Sequence, residues 1–172
     1  MSNDWNTHNE ETFEYYYNSY KYGTYAEVKP TEESADTLAG ITKKAKPNDP
    51  VEKEDLHTTL VFSIGKGNPT MQPSHDVEYV AYLDSFELFG ENRDILVISL
   101  ESEDLEQRHN YLIHNGLLRH SFEKYRPHVT IGYNFSGDLP NKEKLLRDNN
   151  GDKIKVIFKG EKFDYINPNY IE

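Results

Sequence analysis

The stretch Leu56-His57-Thr58-Thr59-Leu60-Val61-Phe62-Ser63 decides the fold, because its tetrad His57-Thr58-Thr59-Leu60 returns as His128-Val129-Thr130-Ile131. Each tetrad is His, any residue, Thr, then an apolar residue. With 7 His, 10 Thr and 35% hydrophobic residues in 172 positions, chance supplies about 0.14 such tetrads, so a pair is roughly a one-in-a-hundred accident. Alternation predicts a strand over 56–63, with Leu56, Thr58, Leu60 and Phe62 on one face and His57, Thr59 and Val61 on the other. In a strand, His and Thr two positions apart point to the same side within about 7 Å.

Working outward from the first tetrad, 23–29 reads as a strand carrying Tyr25 and Val28 and closed by Pro30. Thr31 then offers an N-cap, Glu32 and Glu33 suit the positive helix end, and Ala35, Leu38, Ala39, Thr42 and Ala45 recur at helical spacing to about Lys46. Pro47 and Pro50 bracket a loop. Beyond the tetrad, 77–89 is strand-like with a bend near Asp84-Ser85, and 94–101 is a buried strand. A second helix follows, capped by Ser102, striped by Leu105, Leu112 and Ile113, and ending at Gly116. Residues 128–135 form a strand, 140–149 hold a short helix, and 153–166 return as a final strand or hairpin.

The two halves thus repeat one series of strand, helix, strand with His-x-Thr, and strand. Corresponding positions keep their offset: Thr24 and Asp94 lie 70 apart, Thr31 and Glu103 72, His57 and His128 71. An internal duplication accounts for this, and the expected fold is α+β: one bilobal domain over 1–172, its lobes related by a pseudo-twofold axis around a central cleft. Residues 1–22, with their Tyr15-Tyr16-Tyr17 run, are read as an N-terminal arm or short helix.

Composition removes several function classes. Acidic residues outnumber basic ones 30 to 19, for a formal charge of −11, which disfavours tracking along long DNA. Without cysteine, disulfide scaffolds, thiolate metal sites and cysteine nucleophiles drop out. There is no apolar run of membrane-span length and no signal-peptide pattern, so a soluble, cytoplasmic protein with no membrane partner is expected. His109 and His114 are five apart on a helix, a poor metal pair, while His75 and His120 sit in loop-like sequence, so neither metal nor cofactor is expected. Gly65-Lys66-Gly67 lacks the phosphate-loop context and is read as a turn.

Two facing imidazoles suit phosphodiester cleavage: one, neutral, removes a proton from the attacking hydroxyl, and the other, protonated, gives one to the departing oxygen. Two threonine hydroxyls can then hold the non-bridging phosphate oxygens. Which histidine plays which part is open at this level.

The tetrads, the duplicated order of elements and their spacing resemble the two-histidine phosphoesterase superfamily over residues 23–166. Within it, the length and the Tyr-rich acidic start look most like the bacteriophage anti-CBASS nucleases, which destroy cyclic-oligonucleotide alarm signals of bacteria. The resemblance implies metal-independent cleavage of a 3′–5′ linkage in molecules such as cyclic GMP-AMP, with the ribose 2′-hydroxyl as nucleophile, in the host bacterial cytoplasm. It implies His57 and His128 as the catalytic pair, Thr59 and Thr130 as the phosphate-binding pair, and Tyr25 as a base-stacking ring. Phe86 and Phe89 are alternative stacking residues, Glu161 is an acceptor for a base edge, and Lys124 and Arg126 are a basic turn or an electrostatic support for phosphate. Two rival readings stand beside this one: processing of RNA ends carrying 2′,3′-cyclic phosphates or 2′–5′ bonds, and a binding module that sequesters nucleotide without turnover. Protein partners are not legible.

Overall fold

The computed structural model describes residues 23–64, 72–116 and 124–166. The N-terminal segment 1–22, the Gly65-Lys66-Gly67 turn and His120 lie outside the described residues. The elements are β1 (Gly23–Pro30), α1 (Glu32–Ala45), β2 (Asp49–Pro50), β3 (Thr58–Ile64), β4 (Glu78–Phe89), β5 (Ile95–Glu101), α2 (Glu103–Gly116), β6 (His128–Tyr133), α3 (Lys142–Leu145) and β7 (Lys155–Tyr165). A short 3₁₀ turn, Lys53–Asp55, precedes β3. The expected strands and helices are present to within a few residues. The addition is β2, which pairs Asp49 and Pro50 with Tyr133 and Gly132; a prolyl residue is tolerated there because the two-residue strand lies at the sheet edge.

Local chemistry sets the helix starts. The Thr31 hydroxyl accepts from the Ser34 amide at 3.4 Å, and the Ser102 hydroxyl accepts from the Leu105 amide at 3.1 Å while donating to the Val80 carbonyl. Ser102 therefore ties the start of α2 to β4 as well as capping it. The apolar stripes of α1 (Leu38, Ile41) and α2 (Leu105, Leu112) share one core with Ala26, Val28, Ala81, Leu83 and Phe158 of the sheet. Burying a leucine such as Leu38 is worth about 1.5–3 kcal/mol, so the core is the main source of stability. No described helix is long and apolar enough to cross a membrane.

The duplication takes an unexpected form in space. β1 pairs with β3 and β7, whereas β5 pairs with β6 and β4. The fourth strand of each repeat thus lies in the other lobe, and β4 and β7 pair with each other between the lobes. On the opposite side the lobes touch through β3 and β6, whose single paired position is Thr58 with Val129. The expected bend in β4 is a register shift between Leu83 and Ser85.

Candidate active site

That one pairing fixes the relation between the two tetrads. β3 and β6 are antiparallel, so extending the Thr58–Val129 register by one residue each way sets His57 across from Thr130 and Thr59 across from His128. Thr58 and Val129 are buried, while His57, Thr59, His128 and Thr130 are partly exposed on the other face. The four residues singled out in the sequence share one face of the junction between the lobes.

The two lobes also treat the residue after each threonine alike. Between β1 and β3, Glu27 pairs with Thr59 and Ala26 with Val61, which skips Leu60. Between β5 and β6, Val97 pairs with Thr130 and Leu96 with Gly132, which skips Ile131. Each tetrad therefore ends in a bulge, and a bulge reverses the alternation beyond it. The result corrects the expected facing of β3: Val61 is fully buried in the core, and Phe62 turns toward the cavity.

Each of the two imidazoles is held by the same backbone link. His57 Nδ1 lies 2.8 Å from the Asp55 carbonyl, and His128 Nδ1 lies 2.8 Å from the Arg126 carbonyl. A carbonyl can only accept, so Nδ1 carries the hydrogen in both rings and Nε2 is left for chemistry. The charge around them differs. Glu27 Oε2 is 3.6 Å from His57 Nδ1, whereas the residue paired with the second threonine is the apolar Val97. Burial holds the His128 pKa below the ordinary histidine value of 6.5, with the hydrogen bond to the Arg126 carbonyl opposing and the nearby His57 adding to the fall.

A cavity of about 760 Å³ opens beside Thr59 and His128, within the roughly 300–1,000 Å³ typical of small-molecule sites. Tyr25 lines it, its hydroxyl 3.2 Å from Thr59 Oγ1 and its ring edge-on to His57 at 6.5 Å. Burial is the main cause that pushes the Tyr25 phenol up to about 12, so it stays neutral near pH 7. Phe89 also lines the cavity, packed at 4.6 Å against His128 and covered by the Arg126 guanidinium at 4.7 Å. Lys124 and Arg126 both line the cavity too. His57 and Thr130 adjoin it across the β3–β6 register and are not lining residues.

Two predicted binding residues are not brought to the site. Phe86 is buried opposite Ile98, on the core face of β4. Glu161 pairs with Val28, a core-facing residue of β1, because β7 shifts register at Gly160, whose φ is 83°. Its carboxylate is buried and saturated: it accepts from Arg108 Nε and Nη2, from the Tyr79 hydroxyl at 3.0 Å and from the Ser74 amide at 2.8 Å. No lone pair is left for a base edge.

Sequence reasoning missed Glu27, His109 and Tyr125. His109 is buried, stacked at 4.0 Å on Tyr125, with Nδ1 donating to the Leu60 carbonyl at 2.6 Å. The Tyr125 hydroxyl donates to the Thr59 carbonyl at 2.9 Å. β3 meets β6 at one position only, and these two side chains satisfy consecutive β3 carbonyls around the bulge. Among the described residues, no group of three or more His, Cys, Asp or Glu side chains is placed to hold a metal ion.

Comparison with known proteins agrees with this architecture. A family model described as anti-CBASS protein Acb1 matches residues 22–172. The chain is 32% identical over 123 residues to the anti-CBASS protein Acb1 of Enterobacteria phage T4, a match covering 68% of this chain and 79% of that protein. It is 33% identical over 112 residues to the same-named protein of Acinetobacter phage Ac42, covering 64% and 73%. Among solved structures it is similar to E. coli LigT in apo form, with a TM-score of 0.52 at 17% identity over 81% of this chain and 84% of that one. LigT complexed with 3′-AMP gives a TM-score of 0.51 at 15% identity, over 81% and 85%. At such identities the likeness is one of fold, and that fold is the α+β two-histidine phosphoesterase arrangement expected from the tetrads. The family and the fold together make this an enzyme of the phosphodiesterase type. The chain belongs to the anti-CBASS protein Acb1 family.

Proposed function

We propose that the protein cleaves 3′–5′ phosphodiester bonds of small cyclic oligonucleotides such as cyclic GMP-AMP, and that in the host bacterial cytoplasm this removes the signal on which CBASS defence depends. The observation that carries the reading is the single β3–β6 pairing, which gathers two imidazoles and two hydroxyls on one face beside a cavity.

The asymmetry around the rings supports a division of labour. His128, kept neutral by burial, takes the proton of the ribose 2′-hydroxyl at Nε2. The 2′-oxygen forms its bond to phosphorus, the bond from phosphorus to the 5′-oxygen breaks, and the departing oxygen takes the Nε2 proton of His57. Glu27, at 3.6 Å from Nδ1, places a negative charge beside the ring that gives up this proton. Thr59 and Thr130 donate to the non-bridging oxygens. Products carry a 2′,3′-cyclic phosphate and a 5′-hydroxyl, and the proton has moved from His57 to His128 by way of the substrate.

The test offers purified protein cyclic GMP-AMP, its analogue lacking the 2′-hydroxyl at the cleaved ribose, and linear oligoribonucleotides with ordinary or 2′,3′-cyclic ends. Turnover of cyclic GMP-AMP with survival of the deoxy analogue is expected. Turnover of the linear substrates alone overturns the reading in favour of RNA-end processing, and binding without cleavage of any of them favours sequestration.

A further inference from the structure

The cavity is lined by Thr59 and His128, by Leu88 and Phe89 of β4 and by Gly90 and Arg93 of the β4–β5 turn, and its charged lining is one-sided. Arg93, Lys124 and Arg126 line it together with no Asp or Glu. In a chain with 30 acidic and 19 basic residues, three charged positions are all basic by chance only about 6% of the time, so the bias calls for an electrostatic reason.

Neither Arg93 nor Lys124 forms an ion pair with a carboxylate of the described residues. Arg126 is fixed by Glu87 at 2.9 Å and by stacking over Phe89. Arg93 is held in place by its backbone: φ is 52°, in the left-handed region that residues other than glycine rarely adopt, and its amide closes the turn on the Gly90 carbonyl at 3.1 Å. The turn and the segment entering β6 thus bring their cations to one cavity from two places in the chain.

We infer that Arg93, Lys124 and Arg126 form a second phosphate subsite, distinct from the one served by Thr59 and Thr130. This rests on the proposed function and deepens it. The hydroxyl donors and imidazoles already attend the scissile phosphate, whereas Arg93 lies in the β4–β5 turn and Arg126 over Phe89, which packs against His128, so a compact ligand with two phosphodiesters can set its other phosphate against the cations. A ligand with a single phosphate cannot engage both subsites. The subsite gives a chain of −11 net charge a local means of holding a dianion without any long basic track.

The test compares two ligands on the unchanged protein and on the double variant Arg93→Asn/Lys124→Gln. Asparagine tolerates the left-handed backbone at 93, so the turn is kept. The ligands are a cyclic dinucleotide lacking 2′-hydroxyls, which carries two phosphates, and 3′-AMP, which carries one. The variant is expected to lose about tenfold or more in affinity for the cyclic dinucleotide, with a weaker dependence on salt, and to bind 3′-AMP within about twofold of the parent. Arg93→Lys/Lys124→Arg, which keeps the charge, is expected to bind both ligands as the parent does. Equal losses for both ligands, or none for the cyclic dinucleotide, overturn the second subsite while leaving the cleavage reading standing. Failure of the unchanged protein to bind the cyclic dinucleotide overturns both.

Discussion

Glu27 and His57 form a departure from two-fold symmetry that bears on the proposed chemistry: Glu27 Oε2 lies 3.6 Å from His57 Nδ1, and Val97 takes the equivalent place in the other lobe. The separation is too long for a hydrogen bond, so the carboxylate acts through its charge. Such a charge is worth about 1 kcal/mol at this range in water-like surroundings, roughly fivefold in rate. Glu27→Gln, which keeps the size but removes the charge beside His57, is therefore expected to slow turnover by about two- to fivefold. Turnover by Glu27→Gln at the parent rate contradicts an electrostatic role for Glu27.

In the proposed mechanism the acid limb of the pH profile belongs to His128, which must be neutral to accept a proton. Its burial holds it below the usual value of 6.5, so the rate should persist below pH 6.5 and fall only on further acidification. An acid limb of kcat/KM centred above 6.5 contradicts this placement.

Tyr25 couples the cavity wall to Thr59, a proposed phosphate donor, through its hydroxyl, 3.2 Å from Thr59 Oγ1. If its ring stacks on a base, Tyr25→Ala should lose about 1–3 kcal/mol of substrate binding. Tyr25→Phe keeps the ring, so binding should be nearly retained. Its lost hydroxyl frees Thr59 and should lower kcat by roughly two- to tenfold, the value of one ordinary hydrogen bond. Equal binding losses in the two variants, measured by calorimetry with the deoxy analogue, rule out stacking.

His109 links stability to pH. Burial holds its pKa below 6.5, only partly opposed by its bond to the Leu60 carbonyl. The unfolded chain binds a proton there that the folded chain resists, so the contribution is complete above about pH 6.5 and is lost as pH falls toward the folded-state value. His128 adds a loss of the same sign, since it too is held below 6.5. His109→Phe keeps a ring against Tyr125 but leaves the Leu60 carbonyl unpaired, at a cost of about 1–3 kcal/mol. Denaturant midpoints should be lower for this variant at pH 8 and less dependent on pH between 8 and 5. An unchanged pH dependence excludes His109 as a source of the acid sensitivity.

The local pattern of the fold was legible because capping, periodicity and turn chemistry are written within a few residues: Thr31 and Ser102 cap where expected, and the bend at Asp84-Ser85 is real. The repeat was legible as well, but not the exchange of β4 and β7 between lobes, since pairing partners far apart in sequence leave no periodic trace. The bulges at Leu60 and Ile131 reversed the facing of Val61 and Phe62 because one extra residue inverts a period of two. Glu161 was misread for a similar reason: a register shift at Gly160 set it on the core side, against Arg108. Glu27 went unnoticed because its nearness to His57 arises only from the pairing of β1 with β3.

The central claim is that His57 and His128 together cleave a cyclic dinucleotide, and the most direct measurement is single-turnover cleavage of cyclic GMP-AMP by the purified protein and by His57→Ala and His128→Ala, with far-ultraviolet circular dichroism to verify the fold. Each substitution is predicted to cost at least about 100-fold in rate while the fold is kept, the low end for a general acid or base. A folded variant of either kind that cleaves at near the parent rate removes that histidine from the mechanism and contradicts the account.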